Sequence, residues 1–486
     1  MKTRTLSSLG LTAPSDVAVT GLSVDSRKVG PGELFAALPG SAAHGARFAA
    51  MAAERGAAAI LTDREGAGML LEGVPVVVAE DPREALARAA ALWFGAQPEV
   101  IAAVTGTNGK SSVTAFVRQI WEGRGIAGIN LGTTGVEGAW TAPTAHTTPE
   151  PITLHRLLSE AAAAGVTHCA LEASSHGLDQ RRLDGLRLRA AGFTNFSRDH
   201  LDYHGTFEAY FAAKMHLFER VLPEDGIACV NIDDPKGLEV AAIARERGQD
   251  VLTLGATEGA DVRLLATRFE EDGQSVRFDW RGGVHQVRLG LVGDFQAANA
   301  LMAAALAHAC GMEAGEAIEA LPRLGTVRGR MQLAAVRARG GAIFVDYAHT
   351  PDAVATALRA LRPHAMGRLI AVVGAGGDRD RAKRPLMGRA AAEHADAVIV
   401  TDDNPRSEDP AAIRAAVLEG APGALEVGDR AEAILRGTAM LGPGDVLLVA
   451  GKGHEAGQEV AGTVHPFDDV EQASIAVAAL EEAARG

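Results

Sequence analysis

The chain has 486 residues, 47% hydrophobic and 22% charged, and its 61 acidic against 47 basic side chains give a net charge of -14. That length can bury roughly three domain cores, and the acidic balance argues against non-specific attraction to nucleic acid or anionic membranes, leaving small-molecule chemistry. Cys169, Cys229 and Cys310 are widely separated in apolar surroundings, so they read as buried thiols of a reducing compartment. The opening Met-Lys-Thr-Arg-Thr-Leu-Ser-Ser carries no apolar signal region and no apolar run reaches membrane-spanning length, so a cytoplasmic protein without membrane insertion is expected.

In chain order, residues 33–38, 57–61 and 74–78 read as short strands among Ala-rich helices, the last over 85–94, and predict a small α/β domain ending near residue 97. From Val100 a series of apolar strands begins, at 100–104, 168–171, 190–193 and 227–230, each running into a polar or glycine-containing loop. Strands alternating with helices predict a mostly parallel sheet whose ligands lie beyond the carboxyl ends of the strands. Residues 260–292 alternate instead, with turns at Asp272-Gly273 and Gly282-Gly283, and predict an antiparallel meander followed by a helix over 295–309. Beyond Arg328 a second α/β series, with strands at 343–346, 369–373, 397–400 and 446–450, predicts a third domain.

The most informative stretch is Val100-Ile-Ala-Ala-Val-Thr-Gly-Thr-Asn-Gly-Lys-Ser-Ser112. An apolar strand enters a turn in which Gly106 and Gly109 free backbone N–H groups to face phosphate, Lys110 supplies a cation and the Ser111 hydroxyl can ligate magnesium. Val113, Phe116, Val117, Ile120 and Trp121 follow at helical spacing, completing the strand, loop and helix context of a nucleotide triphosphate site. The position five residues before Gly109 is Val104, so the cradle is a shortened variant.

Glu172, at another strand end, can complete the magnesium coordination begun by Ser111; as an alternative it caps a helix. Ser174, Ser175 and His176 offer polar groups to a substrate. The run Asp199-His-Leu-Asp-Tyr-His-Gly205 is dense in metal-capable side chains, with His200 a candidate for a second magnesium and solvated loop histidines the alternative. Lys214 sits on the apolar stripe formed by Phe207, Tyr210, Phe211, Leu217, Phe218 and Val221. It either snorkels to water or stands neutral, where it can take up carbon dioxide as a carbamate that ligates magnesium. Arg379 and Arg406 stand at the ends of successive strands on loops fixed by Gly376-Gly377 and Asn404-Pro405, a placement suited to gripping a carboxylate.

These residues resemble the ATP-dependent Mur ligases of peptidoglycan synthesis, and the resemblance spans essentially the whole chain. The residues that carry it are Val24-Asp-Ser-Arg27, Thr-Gly-Thr-Asn-Gly-Lys110, Thr147-Thr-Pro149, Glu172-Ala-Ser-Ser-His-Gly-Leu178, Arg198-Asp-His-Leu-Asp-Tyr-His-Gly205, Arg330-Met-Gln332, Asp346-Tyr-Ala-His-Thr-Pro351, Gly376-Gly-Asp-Arg379 and Gly451-Lys-Gly-His-Glu455. Ser111-Ser112 stands where Thr is frequent, and His146 where a smaller polar residue is common.

The resemblance implies three α/β domains: an N-terminal UDP-substrate-binding domain at 1–97, a central ATP-binding domain at 98–328 with a P-loop-type, mostly parallel sheet and an antiparallel appendage, and a Rossmann-like amino-acid-binding domain at 329–486. It implies the member that adds the third residue to UDP-N-acetylmuramoyl-L-alanyl-D-glutamate, with ATP and Mg2+ as cofactors and a carbamate on Lys214. Gly106, Thr107, Asn108, Gly109, Lys110, Ser111 and Ser112, joined by Asn299, Arg330 and Asp346, are then the ATP contacts. Lys110, Glu172, His200 and Lys214 are the catalytic set, and Ser111, Glu172, His200 and Lys214 the metal ligands. Val24, Ser26 and the loop Ser41, Ala42 and Ala43 hold the UDP end, while Thr147, Thr148, Ser174, Gln180 and Arg182 hold the muramoyl peptide.

Asp403-Asn404-Pro405-Arg406 resembles the form that selects meso-2,6-diaminopimelate. Arg406 with Arg379 pairs with the distal carboxylate of that amino acid and repels the distal ammonium of lysine, while Gly451 and Glu455 receive the remaining polar groups. The same reaction on L-lysine and a folylpolyglutamate synthetase-like ligation are the alternatives. Small-molecule substrates, no nucleic-acid partner and a monomer are expected.

Overall fold

The structure, a computed structural model, describes residues 2–40, 43–70, 73–197, 199–270 and 273–484. Two compact units emerge, one of Met1–Ala260 with Met302–Ile318, the other of Asp261–Leu301 with Glu319–Gly486. Both are mixed α/β.

In the first unit a parallel four-stranded sheet, in the order Leu22–Ser23, Leu34–Ala36, Ala59–Thr62 and Val76–Val78, precedes the helix Pro82–Phe94. That helix starts three residues before the expected Ala85, because Asp81 accepts hydrogen bonds from the N–H groups of Arg83 and Glu84 and Pro82 takes the first turn. A larger sheet follows. In spatial order its strands are Asp250–Gly255, Ile227–Asn231, Leu188–Phe193, Val100–Thr105, His168–Glu172, Gly128–Gly132 and Gly135–Gly138. All neighbours are parallel except the closing Gly128–Gly132 and Gly135–Gly138 hairpin. The central strands are apolar without alternation because helices cover both faces. Their register sets Glu172 opposite Val104 and Phe193 opposite Thr105, so the loops that follow leave from one edge.

Gly128–Gly132 is a strand the sequence reading missed. Its Gly-Ile-Asn-Leu-Gly composition reads as a turn on propensity, and packing overrides it: a side-chain carbon on Gly128 would press on Trp121 at 3.1 Å.

In the second unit the meander forms as Val262–Glu270, Gly273–Trp280 and Gly283–Leu289. Asp272 of the first expected turn lies outside the described residues, and the second turn falls at Arg281-Gly282, both at positive φ. A six-stranded sheet runs Gln332–Val336, Ala342–Asp346, Val446–Ala450, Leu369–Val373, Ala397–Val400 and Leu425–Glu426, antiparallel only at its first pair. Two apolar clusters, one on each face of this sheet, hold its helices.

Candidate active site

The cradle is built by close backbone approach. Gly106 has φ +143, and a side-chain carbon there would collide with the Thr194 hydroxyl and stand 3.1 Å from the backbone of Asn195. Gly109, at φ +86, caps the helix Lys110–Glu122. The next strand end braces the turn: Thr107 N donates to Asn195 O at 2.8 Å, Asn108 N to Asn195 Oδ1 at 2.9 Å, and Thr194 Oγ1 to Asn108 O at 2.6 Å. Lys110 folds back, its Nζ 3.0 Å from Gly106 O and 2.9 Å from Thr107 O. Ser112 is buried behind the turn.

Glu172 lies within reach of this turn. Its side chain is 2% exposed; Oε1 accepts from Ser111 Oγ at 2.9 Å and from Thr133 N at 2.8 Å, and Oε2 from Thr133 Oγ1 at 3.3 Å. Its position is not a helix cap: the next helix, Ser175–Asp179, is capped by Ser174, whose Oγ accepts from Gly177 N at 3.0 Å. Gly132, which ends the unforeseen strand, and Thr133, which follows it, are the residues sequence reasoning missed here. The strand-end logic that found Glu172 would have found them had Gly128–Gly132 been recognised as a strand.

Lys214 does not snorkel. Its side chain is 1% exposed, Nζ donates to Gly106 O at 2.7 Å and lies 4.6 Å from the centre of the Tyr210 ring. Burial, reinforced by the nearby Lys110 ammonium and opposed by Asp199, drives its pKa well below the usual lysine value. Burial thus favours the neutral, nucleophilic form of the amine. Lys214 lies in the last turn of an α-helix, Phe207–His216, that passes into a π-helical turn over Leu217–Val221. His200, in a left-handed backbone conformation at φ +49, belongs to a ring cluster, 4.9 Å from His176 and 6.0 Å from Tyr210.

These groups fit a magnesium ion. The Ser111 hydroxyl and the buried Glu172 carboxylate are adjacent hard oxygen donors, and a carbamate on Lys214 would add two more oxygens, where the free amine would add none.

The predicted peptide-binding residues form one network. Thr148 Oγ1 donates to Glu172 O at 2.7 Å and accepts from Ser174 N at 3.1 Å; Thr147 Oγ1 lies 3.0 Å from Thr133 Oγ1. Arg182 donates to Thr148 O at 2.6 Å and to Gln180 Oε1 at 2.8 Å, and Gln180 donates to Tyr203 Oη at 2.9 Å. His146 is exposed. Val24 is exposed and Ser26 buried, while Ala43 is half-buried; Ser41, Ala42 and Arg198 lie outside the described residues.

In the second unit Asn299 is buried on the helix Phe295–Ala309, its amide donating to Gln296 Oε1 at 3.2 Å. The Arg330 guanidinium lies 4.9 Å over the Tyr347 ring, and the Asp346 carboxylate accepts from Met331 N at 2.7 Å. Burial raises the Asp346 pKa against the pull of Arg330.

Arg379 and Arg406 come together around Gly376: a side-chain carbon there would stand 2.8 Å from Arg406 Nη1 and 3.9 Å from Arg379 Cγ. Arg379 is exposed. Arg406, at φ +54, is held on both sides by the hairpin Gly457–Val460 and Thr463–Pro466: its N donates to Glu459 O at 3.0 Å and its O accepts from Ala461 N at 2.7 Å. Asp403 packs against Gly451 and Pro405 against Gly377. The hairpin and Lys452 were missed. Lys452, with no exposed side chain, donates to Asn404 Oδ1 at 3.0 Å and to Glu455 Oε2 at 3.2 Å; Asn404 Nδ2 donates to the same Glu455 oxygen at 2.8 Å, and Glu459 N to Asn404 Oδ1 at 2.9 Å.

Family profiles match in order along the chain: the Mur ligase family catalytic domain at residues 18–94, the Mur ligase middle domain at 104–307 and the Mur ligase glutamate ligase domain at 329–453. The chain belongs to the Mur ligase family. Mur ligases are ATP-dependent ligases. Among curated relatives of this Mur ligase, the UDP-N-acetylmuramoyl-L-alanyl-D-glutamate--2,6-diaminopimelate ligase of Caulobacter vibrioides is 52% identical over 463 residues, 94% of this chain and 95% of the relative. The protein of the same name from Chelativorans sp. is 51% identical over 458 residues, 94% of each. A solved structure of a ligase with that name aligns at TM-score 0.73 and 34% identity, covering 99% of this Mur ligase and 100% of that chain. MurF from Thermotoga maritima, solved with ADP, shares the fold at TM-score 0.61 and 20% identity, covering 96% and 98%.

Proposed function

We propose that this Mur ligase joins meso-2,6-diaminopimelate to UDP-N-acetylmuramoyl-L-alanyl-D-glutamate at the expense of ATP, a step of peptidoglycan synthesis and hence of cell-wall growth, cell shape and division. The convergence of Arg379 and Arg406 on Gly376 carries the choice of amino acid, since two guanidinium groups suit a distal carboxylate and repel a distal ammonium.

In this reading the N–H groups of the turn 106–112 receive the ATP phosphates at the positive end of the helix Lys110–Glu122. Lys110 exchanges its hydrogen bonds to Gly106 O and Thr107 O for phosphate oxygens. Asn299, Arg330 and Asp346 serve the nucleotide. Ser111, Glu172 and carbamylated Lys214, with His200 at a second ion, would hold Mg2+, which would supply neutralisation of the charge on the phosphoryl group. Thr147, Thr148, Ser174, Gln180 and Arg182 orient the dipeptide so that its D-glutamyl γ-carboxylate accepts the γ-phosphoryl group, giving an acyl phosphate and ADP. The amine of diaminopimelate, held by Arg379, Asp403, Arg406, Gly451 and Glu455, attacks the acyl carbon, loses a proton, and the tetrahedral adduct expels phosphate as the amide forms. Asn404 and Pro405 shape the loop. Val24, Ser26 and the loop 41–43 take the UDP end.

The domain boundaries 1–97, 98–328 and 329–486 follow from this division of labour, with the chain acting as a monomer in the cytoplasm. Cys169, Cys229 and Cys310, all free and buried, are compatible with a reducing compartment. Among the described residues no helix is long and apolar enough to cross a membrane. The test is ADP release with the UDP-linked dipeptide and a panel of third amino acids. Diaminopimelate is expected to dominate; equal rates with lysine, or a preference for it, would remove the Arg406 argument.

A further inference from the structure

Between Gln180 and Arg182, both members of the Thr148 network, Arg181 stands in the left-handed backbone region at φ +56. That conformation is unfavourable for a long side chain and persists where the surroundings hold it. Here the end of the helix Ser175–Asp179 holds it, with Arg181 N donating to Leu178 O at 3.1 Å and Arg182 N to Gly177 O at 2.8 Å, and the side chain so presented meets three carboxylates. Arg181 Nε lies 2.5 Å from Asp81, and Nη1 lies 2.9 Å from Glu84 and 3.1 Å from Asp184. Asp81 caps the helix Pro82–Phe94 and Glu84 sits in its first turn, so two of the three pairs reach across about 100 residues of chain to the start of that helix in the same unit. Asp184 is 5% exposed and is itself gripped by Arg220 at 3.2 Å, whose Nη2 also donates to Leu178 O at 2.9 Å, beneath the turn that carries Gln180.

We propose that Arg181 is a positioning residue, whose three-carboxylate clasp ties the Gln180–Arg182 turn to the helix Pro82–Phe94 and so fixes Gln180 and Arg182 for the UDP-linked dipeptide. This role rests on the substrate reading above. A multidentate clasp with restricted solvent access is worth more than a single surface pair, because one guanidinium already ordered by one partner meets the others at little further entropy cost. It also couples the part of the chain that reads the UDP end to the part that reads the dipeptide.

Arg181→Gly separates the clasp from the backbone, since glycine accepts the left-handed conformation freely. The variant is expected to bind the UDP-linked dipeptide about tenfold more weakly by calorimetry, with KM for that substrate rising in step. Its kcat, and its KM for ATP and for diaminopimelate, stay within about twofold of wild type. Glu84→Gln weakens binding in the same direction by less, and Arg181→Lys recovers part of it. Wild-type binding by Arg181→Gly, or an equal rise of all three KM values, would overturn the clasp. Because binding is read without turnover, a wild-type chain that binds the dipeptide yet joins no diaminopimelate to it defeats the ligase reading alone.

Discussion

Gly132 sits at the end of its strand with the Glu172 side chain directly above it. A side-chain carbon there would lie 2.6 Å from Glu172 Cδ and 2.7 Å from Cγ, and closer still to Oε1. Ordinary carbon contacts need roughly 3.5 Å, so Gly132→Ala must push the carboxylate about 1 Å. That displacement exceeds what the Ser111 bond at 2.9 Å and the Thr133 N bond at 2.8 Å can follow. The stability change is modest, because overpacking costs about 1–3 kcal/mol and the loss of glycine's unfolded-state freedom returns about 0.5–1 kcal/mol. The functional change is large, since a misplacement of about 1 Å in a catalytic group can cost about 100-fold in rate. Steady-state ADP release with saturating substrates, set beside a thermal melt, measures both. The expected outcome is a folded protein with kcat down about 100-fold. Gly315→Ala, where an added methyl meets nothing within 4 Å, is the matched control. A Gly132→Ala variant with wild-type kcat would refute the assignment of the Glu172 carboxylate to the reaction.

Lys214→Ala is expected to lose about 100-fold in activity and to regain part of it with added short carboxylic acids, which can occupy the space of a carbamate; an unaided variant with full activity would remove the carbamate. His155, 1% exposed, is pushed down to about 4 by burial. The unfolded chain takes up this proton near 6.5, so the contribution is intact above that pH and falls as pH drops toward 4, by roughly 3 kcal/mol in all. Urea unfolding between those limits should show a flatter pH dependence for His155→Gln than for wild type, and equal slopes would contradict the assignment.

The nucleotide cradle was legible because a parallel strand buried on both faces must be an apolar run, and the residues closing it must be polar; the same contrast exposed Glu172. The burial of Lys214 was legible only as a conflict between its charge and its stripe, and the structure resolves it in favour of a buried side chain bonded to Gly106 O. Gly128–Gly132 was hidden because its glycines serve neighbours, Trp121 and Glu172, that sequence cannot place beside it. The Gly457–Pro466 hairpin was hidden for a different reason: its strands are short, one half-buried throughout and the other exposed throughout, with no period to detect. Arg181 carried no signal in the sequence, because Asp81 and Glu84 are brought to it only by the fold.

The bonding of Asn404 has a practical corollary. With Lys452 and Glu459 N on its oxygen and Glu455 on its nitrogen, this amide is a keystone between three segments, and the tetrapeptide 403–406 takes its form from residues about 50 positions downstream. Grafting Asp-Asn-Pro-Arg alone into a lysine-adding relative would therefore import the letters of a specificity without the grammar that gives them meaning. A successful transplant has to carry Lys452, Glu455 and the hairpin as a single cassette.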